Sequence, residues 1–311
     1  MMLWLPAIIH PPLMPAPEGP VILYSVLYDI FSGTPLLSVI LGFILACWET
    51  YFFTRLLNKN ELIVKNSSLA SLIFLILLSI FPDQLTLTPL LPALFFILFV
   101  LHHLLIIYSK PEHFDRVFAA GFFTALASLF YLPVLIWFGF IIVSFLLFRS
   151  GKWREWIAST IGLLTPYIYL AIYYFWNDEF LLKAHEYSDF FRQLKFGPRC
   201  LDPGFWVPEG VILVLTIWGL IKNRRGIMER TVELRAKYSL FIWLLLFSGL
   251  TLVYARSLIT SNMMLATPAF ALIISSAMTG LKKTRLIELV LILLFIGLLI
   301  NNFIIQPFSV S

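Results

Sequence analysis

Long apolar runs alternate with short polar loops along almost the whole chain. A helix needs about 20 apolar residues to cross the hydrocarbon of a bilayer, with about 17 as the usual lower limit. Ten runs come near this length, at 35–57, 67–81, 89–108, 117–132, 133–148, 156–176, 206–221, 238–254, 262–280 and 286–305. The pattern therefore predicts an all-α, polytopic transmembrane bundle of about ten spanning helices, in one domain over 1–311.

One apolar stretch, 117–148, is interrupted by Pro133 and flanked by Arg116 and Arg149. Because basic residues accumulate in cytoplasmic loops, both arginines are predicted on the cytoplasmic side. The chain between them must therefore enter the membrane from that side and return to it. Pro133 divides the stretch into two halves of 16 residues each. As an α-helix, each half would span only ~24 Å, less than the ~30 Å hydrocarbon core. Two interpretations stay open, a hairpin of two short helices or a re-entrant loop that lines a cavity.

The first outer segment, 1–34, begins with the apolar residues Met1–Ile9, which are too few to span and are followed by a proline-rich stretch. They lack the basic region of a signal peptide. We interpret them as the outer end of a helix whose first half is missing, so that a complete version would have eleven helices and a cytoplasmic N-terminus. Val21–Phe31 is expected to lie along the membrane surface, and Thr34-Pro35 then begins a spanning helix.

Basic residues concentrate in alternate loops, which hold 17 and 5 of the 22 Lys and Arg residues. Cytoplasmic loops of membrane proteins carry this excess. The densest group forms a predicted cytoplasmic loop over 222–237. The alternation places the C-terminus and the longest loop, 177–205, outside, which is the periplasmic side of a bacterial inner membrane.

Composition agrees with membrane residence, because 60% of the residues are hydrophobic and only 13% are charged. A soluble domain carries about 25% charged residues. The net charge of +5 lies in short loops, where it orients the chain, so no nucleic-acid partner is expected. Cys47 and Cys200 form no CxxC or Cys/His cluster, and we predict neither a metal site nor a cofactor.

The loop 177–205 carries an apolar i, i+3, i+4, i+7 pattern that predicts an interfacial amphipathic helix with its apolar face toward the membrane. The pattern is formed by Tyr187, Phe190, Phe191 and Leu194. The cations of the outer face are Lys183, Arg192, Lys195, Arg199 and Arg256. They hold either anionic lipid headgroups or the phosphate of a lipid-linked substrate.

Two carboxylates, Glu18 and Asp29, lie in the first outer segment. They are either solvated loop acids or candidates for a catalytic base. Five aromatic residues crowd the outer end of the run at 156–176, namely Tyr167, Tyr169, Tyr173, Tyr174 and Trp176. They predict an aromatic belt at the membrane surface, and aromatic faces also stack on sugar rings.

Few polar groups fall inside the apolar runs. Glu49 lies late in the first complete helix, and an acid inside a membrane is by default a functional candidate. The neighbouring Trp48 and Tyr51 place it near the inner interface, where a carboxylate reaches water, and both interpretations stay open. His102 and His103 point about 100° apart on a helix, so the two rings do not serve one site. We read both histidines as interfacial.

Several short motifs resemble those of an uncharacterised multi-pass inner-membrane family of Bacteroidetes bacteria. The motifs are Asn58–Leu62, Phe81-Pro82, Gly121–Pro133, Trp153–Trp156 and Gly162–Tyr167. The resemblance covers most of the chain, best over 35–180. It implies a location in the inner membrane rather than a reaction.

The layout is also similar to the GT-C glycosyltransferases, which take sugars from polyprenyl-phosphate donors at the outer face. Their signature is an acidic residue in the first outer loop, followed by juxtamembrane helices. This resemblance implies that Glu18 or Asp29 fills that place and that a polyprenyl-phosphate-linked glycan is a partner. The chain departs from the pattern, because it lacks the paired acid motif and a large C-terminal outer domain.

Three functions are therefore expected from the sequence. The first is a non-catalytic subunit in cell-envelope assembly or secretion, with other envelope membrane proteins and membrane lipids as partners. The second is a GT-C-like glycosyltransferase or a degenerate relative. The third is a transporter or lipid flippase, which predicts a wide polar cavity between helices.

Overall fold

The computed structural model describes residues 4–17, 19–63, 68–80, 84–109, 114–148, 153–193, 203–228, 231–254, 263–279, 291–292 and 295. Every regular element in these ranges is helical, which confirms the predicted all-α class. The α-helices are α1 (Leu5–Ile9), α2 (Ile22–Phe31), α3 (Pro35–Lys59), α4 (Leu69–Leu78), α5 (Leu90–Ser109), α6 (Phe114–Phe130), α7 (Phe138–Phe148), α8 (Trp153–Trp176), α9 (Phe180–Gln193), α10 (Pro203–Met228), α11 (Val232–Tyr254) and α12 (Thr267–Thr279). Two 3-10 helices, Leu132–Trp137 and Met263–Ala266, precede α7 and α12.

Three helices among the described residues, α3, α5 and α8, are long and apolar enough to cross a membrane. The expected count of about ten is not reached by this measure. One cause is helix length, since α4 has 10 residues and α12 has 13. They rise about 15 and 20 Å, against a hydrocarbon core of ~30 Å. The run predicted at 67–81 also includes turn residues beyond α4, and the run at 262–280 begins with a 3-10 helix. Most of the run at 286–305 lies outside the described residues.

The stretch 117–148 forms two legs. Helix α6 ends at Phe130, and Tyr131 is extended before the 3-10 helix that contains Pro133 leads into α7. A 3-10 helix rises ~2.0 Å per residue, compared with 1.5 Å for an α-helix. The 6 residues of the 3-10 helix and the 11 of α7 therefore extend about 28 Å together. Because the 3-10 helix rises more per residue, the length of this second half comes close to the ~30 Å thickness of the hydrocarbon core.

Helix α5 lies at the centre of the bundle and is joined to its neighbours by aromatic rings. Trp48 and Phe52 of α3 lie 4.9 and 4.8 Å from Phe95 and Phe99 of α5, measured between ring centroids. Phe99 continues the contact to Phe123 of α6 at 5.1 Å. Because residues four apart share one face of a helix, these rings form a ladder across three helices.

Helices α6 and α8 touch backbone to backbone. A Cβ atom on Gly121 would lie 2.0 Å from the carbonyl oxygen of Ser159, and one on Gly162 would lie 2.1 Å from that of Phe118. Small residues allow helices in a membrane to approach this closely. We call this contact the glycine seam. It is the main attachment of α8 to the bundle.

The described part of the loop between α4 and α5 is buried. No side chain from Gln84 to Thr88 is more than 5% exposed. The hydroxyl groups of Ser38 and Thr86 are hydrogen bonded at 3.0 Å. The Tyr24 hydroxyl of α2 donates to the Pro15 carbonyl at 2.6 Å and also lies 3.4 Å from the carbonyl oxygen of Leu87. Helix α2 thus covers the loop, and irregular backbone is tolerated at membrane depth where protein encloses it.

The N-terminal segment is tied to the same end of the bundle. The indole nitrogen of Trp4 donates to the Ser79 hydroxyl at 3.0 Å, just after α4 ends. The Trp4 ring also lies 5.5 Å from that of Phe43 on α3. Trp4 is 1% exposed, so the residue before α1 belongs to the core.

At the opposite end, polar side chains join α10, α11 and α12. The Asn223 amide donates to the hydroxyls of Ser276 and Tyr238 at 2.6 and 3.1 Å. The Lys222 ammonium donates to a carbonyl in the last turns of α12 at 2.7 Å. Most of the region predicted as a basic loop, 222–237, is therefore the ends of two helices, and those ends carry the charges.

Replacing Gly121 with alanine should destabilise the protein, because its methyl group would meet a backbone oxygen at 2.0 Å. Overpacking of this kind typically costs ~1–3 kcal/mol. Thermal unfolding in detergent micelles should give a lower Tm than that of the wild type.

The matched control is Gly249→Ala in α11, where nothing lies within 4 Å of the added Cβ. Alanine is the better helix former by about 1 kcal/mol, so the control should keep or raise the Tm. Equal Tm values for the two variants would contradict the glycine seam.

Candidate functional site

The two outer segments meet at Gly19. This residue has a φ of +82°, where other residues are strained, and a Cβ on it would lie 2.7 Å from the Phe190 ring of α9. The turn between α1 and α2 is therefore pressed against α9. Two segments more than 150 residues apart in the sequence thus form one surface. Glu18, next to this turn, lies outside the described residues.

Helix α9 confirms the helix predicted within 177–205, and two of its cations are paired on the helix itself. The Lys183 ammonium lies 2.9 Å from a carboxylate oxygen of Glu186. The Arg192 guanidinium lies 3.9 Å from a carboxylate oxygen of Asp189. Exposed pairs of this kind are worth only ~0–1 kcal/mol, so an anionic group competes for both cations at little cost.

The remaining predicted site residues are separated. Asp29 is exposed near the end of α2, and no described cation lies within 4 Å of its carboxylate. Lys195, Arg199 and Arg256 lie outside the described residues. Of the predicted outer-face residues, the structure therefore positions Asp29, Lys183 and Arg192 and brings no two of them into contact.

The apolar side of α9 faces its own protein. Tyr187 and Phe190 pack against the hydrophobic core, whereas Phe191 is exposed. The Tyr187 hydroxyl is buried, and no described group hydrogen bonds to it. Burial raises the pKa of the Tyr187 phenol, and the nearby Tyr167 and Tyr174 raise it further. The apolar face that the sequence assigned to the membrane is thus used largely to hold α9 on the bundle.

The aromatic residues at the outer end of α8 divide into two groups. Tyr167 and Tyr174 point toward the bundle, and the Tyr167 hydroxyl is 2.6 Å from that of Ser128 on α6. Tyr173 and Trp176 are exposed, at 61% and 86%. The exposed rings occupy the position at which an aromatic belt is expected.

Glu49 was expected to reach water, but the structure buries its side chain. Trp48 and Tyr51 are exposed, as expected of residues near an interface, but Glu49 itself is 0% exposed. Neither of its carboxylate oxygens has a hydrogen-bond partner among the described residues. Neighbouring residues on a helix point about 100° apart. The aromatic residues beside Glu49 therefore carried no information about the face on which it lies.

A different pattern in the sequence does locate Glu49. Ser38, Gly42, Glu49 and Phe53 are separated by four, seven and four residues, the spacing of one helix face, and all four are buried. A Cβ on Gly42 would lie 3.1 Å from the backbone of Thr86, so the buried loop closes over this face. Glu49 thus lies on the stripe of α3 that faces the core.

The two histidines of α5 lie at the end of the helix that also carries basic residues. The guanidinium of Arg116 is 3.5 Å from the Nδ1 atom of His103, whose ring stacks on Phe123 at 5.5 Å. The His102 ring lies edge-on to Phe52 at 5.7 Å. The described residues hold no group of three or more His, Cys, Asp or Glu side chains that is able to bind a metal ion.

Residues 13–308 match a family of unknown function, DUF6427. No curated protein and no solved structure matches the chain. The family match agrees with the resemblance to an uncharacterised family, and it covers the two outer segments and the bundle between them. Because the match spans nearly the whole sequence, the chain belongs to the DUF6427 family, whose function is unknown.

Proposed function

We propose that the chain is a multi-pass inner-membrane subunit of a cell-envelope assembly and that α8 is the surface that meets its partner. The observation that carries the proposal is the uneven burial of the three long apolar helices. In an apolar stretch of 18 residues taken from each helix, 72% of the stretch is buried in α5 but only 17% in α8. Helix α8 is therefore fixed to the bundle along one narrow face, with most of its circumference left open.

The open side of α8 carries large apolar residues at a regular spacing. Ile157, Ile161, Leu164, Ile168 and Ile172 are separated by four, three, four and four residues, and each is 47–56% exposed. This is the spacing at which two long helices interlock side by side. Lipid covers such a face in an isolated chain, and a partner helix covers it in an assembly.

The proposal includes the orientation deduced from the basic loops, with the C-terminus outside. Arg55, Lys59 and Arg116 all lie close enough to His102 to act on it electrostatically, although they come from two different basic segments of the sequence. This supports the prediction that both segments lie on the same side of the membrane. Reporter fusions test this orientation, and an active alkaline phosphatase fused after Asn60 would overturn it.

Photo-crosslinking tests the partner surface in cells at native expression. A benzophenone amino acid at Ile161 or Ile168 should form an adduct with a defined envelope membrane protein, identified by mass spectrometry. The control is the same substitution at Leu250 of α11, which is 44% exposed and should crosslink to lipid only. Lipid adducts alone at both α8 positions would contradict the proposal.

A second function, a GT-C-like enzyme acting on a polyprenyl-phosphate-linked glycan, is favoured by one observation. The contact of Gly19 with Phe190 holds the turn at Gly19 against the helix that carries Lys183 and Arg192. In such an enzyme Glu18 or Asp29 takes a proton from the acceptor hydroxyl. The cations would hold the lipid phosphate.

Alanine substitution of Glu18 and of Asp29 in the native organism tests this second function. A catalytic base contributes typically 10²–10⁴-fold to a rate, so loss of the true base should reduce the affected envelope glycan to trace amounts. Asp189→Ala on α9 serves as a control for the loss of an outer carboxylate. An envelope glycan profile that stays unchanged in both variants and in a deletion strain would remove this function.

A further inference from the structure

Glu49 has no part in either proposed function, yet its carboxyl group is fully buried and has no hydrogen-bond partner among the described residues. It is residue 15 of the 25 in α3, so it lies about 21 Å along the helix from Pro35 and about 15 Å from Lys59. Helix α3 is long and apolar enough to cross a membrane. A carboxyl group buried at this depth is expensive and by default marks a functional position.

Helix α3 itself offers Glu49 no partner. The residues one turn away on either side, Leu45, Ala46, Phe52 and Phe53, are apolar. The hydroxyl of the adjacent Thr50 already donates to the Ala46 carbonyl at 2.7 Å. The other titratable side chains of α3 are Cys47, Tyr51, Arg55 and Lys59, and neither cation forms an ion pair with Glu49.

The elements that contact α3 provide no counter-charge at this depth either. Helices α1 and α4 carry no titratable residue. The described titratable side chains of α5 are His102 and His103, which lie beside Arg116 at the end of the bundle. Those of α2 are Tyr24, Tyr28 and Asp29, at the opposite end.

The surroundings decide what Glu49 binds. An ionised carboxylate with no partner is strongly disfavoured in an apolar interior. Calcium takes six to eight oxygen ligands and magnesium takes six, whereas the described surroundings add no second carboxylate. A proton satisfies the group alone, because it converts the carboxylate to a neutral acid.

We propose that Glu49 is a proton-binding site in the membrane interior, held as the neutral acid while α3, α4 and α5 are packed together. One proton binds to one carboxylate oxygen. Its release leaves a negative charge that the packed interior does not neutralise, so release requires water or a cation to reach Glu49. Proton release is thereby coupled to an opening of the helices around α3. This inference stands whether or not α8 binds a partner.

Infrared difference spectroscopy tests the protonation state without a reagent. The full chain in phosphatidylethanolamine–phosphatidylglycerol vesicles is compared with Glu49→Gln, which keeps the shape of the neutral acid. The wild type should show the carbonyl stretch of a protonated carboxyl group, and the variant should lose that band at an unchanged Tm. If Glu49→Gln instead lacks the two stretching bands of an ionised carboxylate, Glu49 is charged in the wild type and the proposal is wrong.

Labelling with dicyclohexylcarbodiimide, an apolar reagent, separates a proton from a metal cation as the occupant. The acid proton moves to a nitrogen of the carbodiimide while the carboxyl oxygen bonds to its central carbon, so the addition has no leaving group. Rearrangement to the N-acylurea leaves a stable mass tag. The tag should appear on the peptide containing Glu49 and be absent from Glu49→Gln.

Added sodium, calcium or magnesium chloride should leave this labelling unchanged at constant pH. Protection of Glu49 by one of these cations, with choline chloride as the control for ionic strength, would overturn the assignment to a proton. The exposed Asp29 provides an internal comparison, since it should react with a water-soluble carbodiimide while Glu49 does not.

Discussion

The backbone contact between α6 and α8 is the constraint on which the position of α9 depends. Gly121 and Gly162 allow carbonyl oxygens to approach where any Cβ would clash. Helix α8 is thereby held against α6 and leads directly into α9. Phe190 of α9 in turn presses on the turn at Gly19. The turn at Gly19 thus contacts a helix whose position depends on two glycines more than 100 residues away in the sequence.

From that segment the same chain of contacts continues inward. Helix α2 covers the buried loop through Tyr24, and the loop closes over α3 at Ser38 and Gly42. Glu49 lies further along the same face of α3. A carboxyl group so enclosed stays without a partner only if water is kept out, because water would otherwise solvate it. The contacts of α2 and the loop with α3 therefore help to enclose the helix face on which Glu49 lies.

The sequence predicted those parts of the fold that depend on local hydrophobicity. The runs at 35–57, 89–108 and 156–176 became α3, α5 and α8 with ends shifted by a few residues. Its estimate of about ten spanning helices counted apolar residues, and an apolar run does not reveal where a helix stops. Helix α4 ends after 10 residues because the chain then enters a buried loop. The packing of distant segments determines that loop.

The site was less predictable, since its elements are joined by tertiary contacts. Nothing in the local sequence indicates that Gly19 meets Phe190 or that the loop at Gln84–Thr88 is enclosed. Glu49 was wrongly expected to reach water because neighbouring aromatic residues were used to judge its exposure. The buried stripe of Ser38, Gly42 and Phe53 indicated the correct face. Periodicity along α3 was thus the better guide to burial than adjacent residues.

We propose that α8, positioned by the glycine seam, joins this bundle to another envelope membrane protein. The most direct measurement is quantitative co-purification of the tagged chain at native expression from membranes extracted into lipid nanodiscs. One envelope membrane protein should accompany the wild type and Gly249→Ala in constant ratio and should be lost from Gly162→Ala. A wild-type chain recovered alone, or equal recovery of the partner with Gly162→Ala, would contradict it.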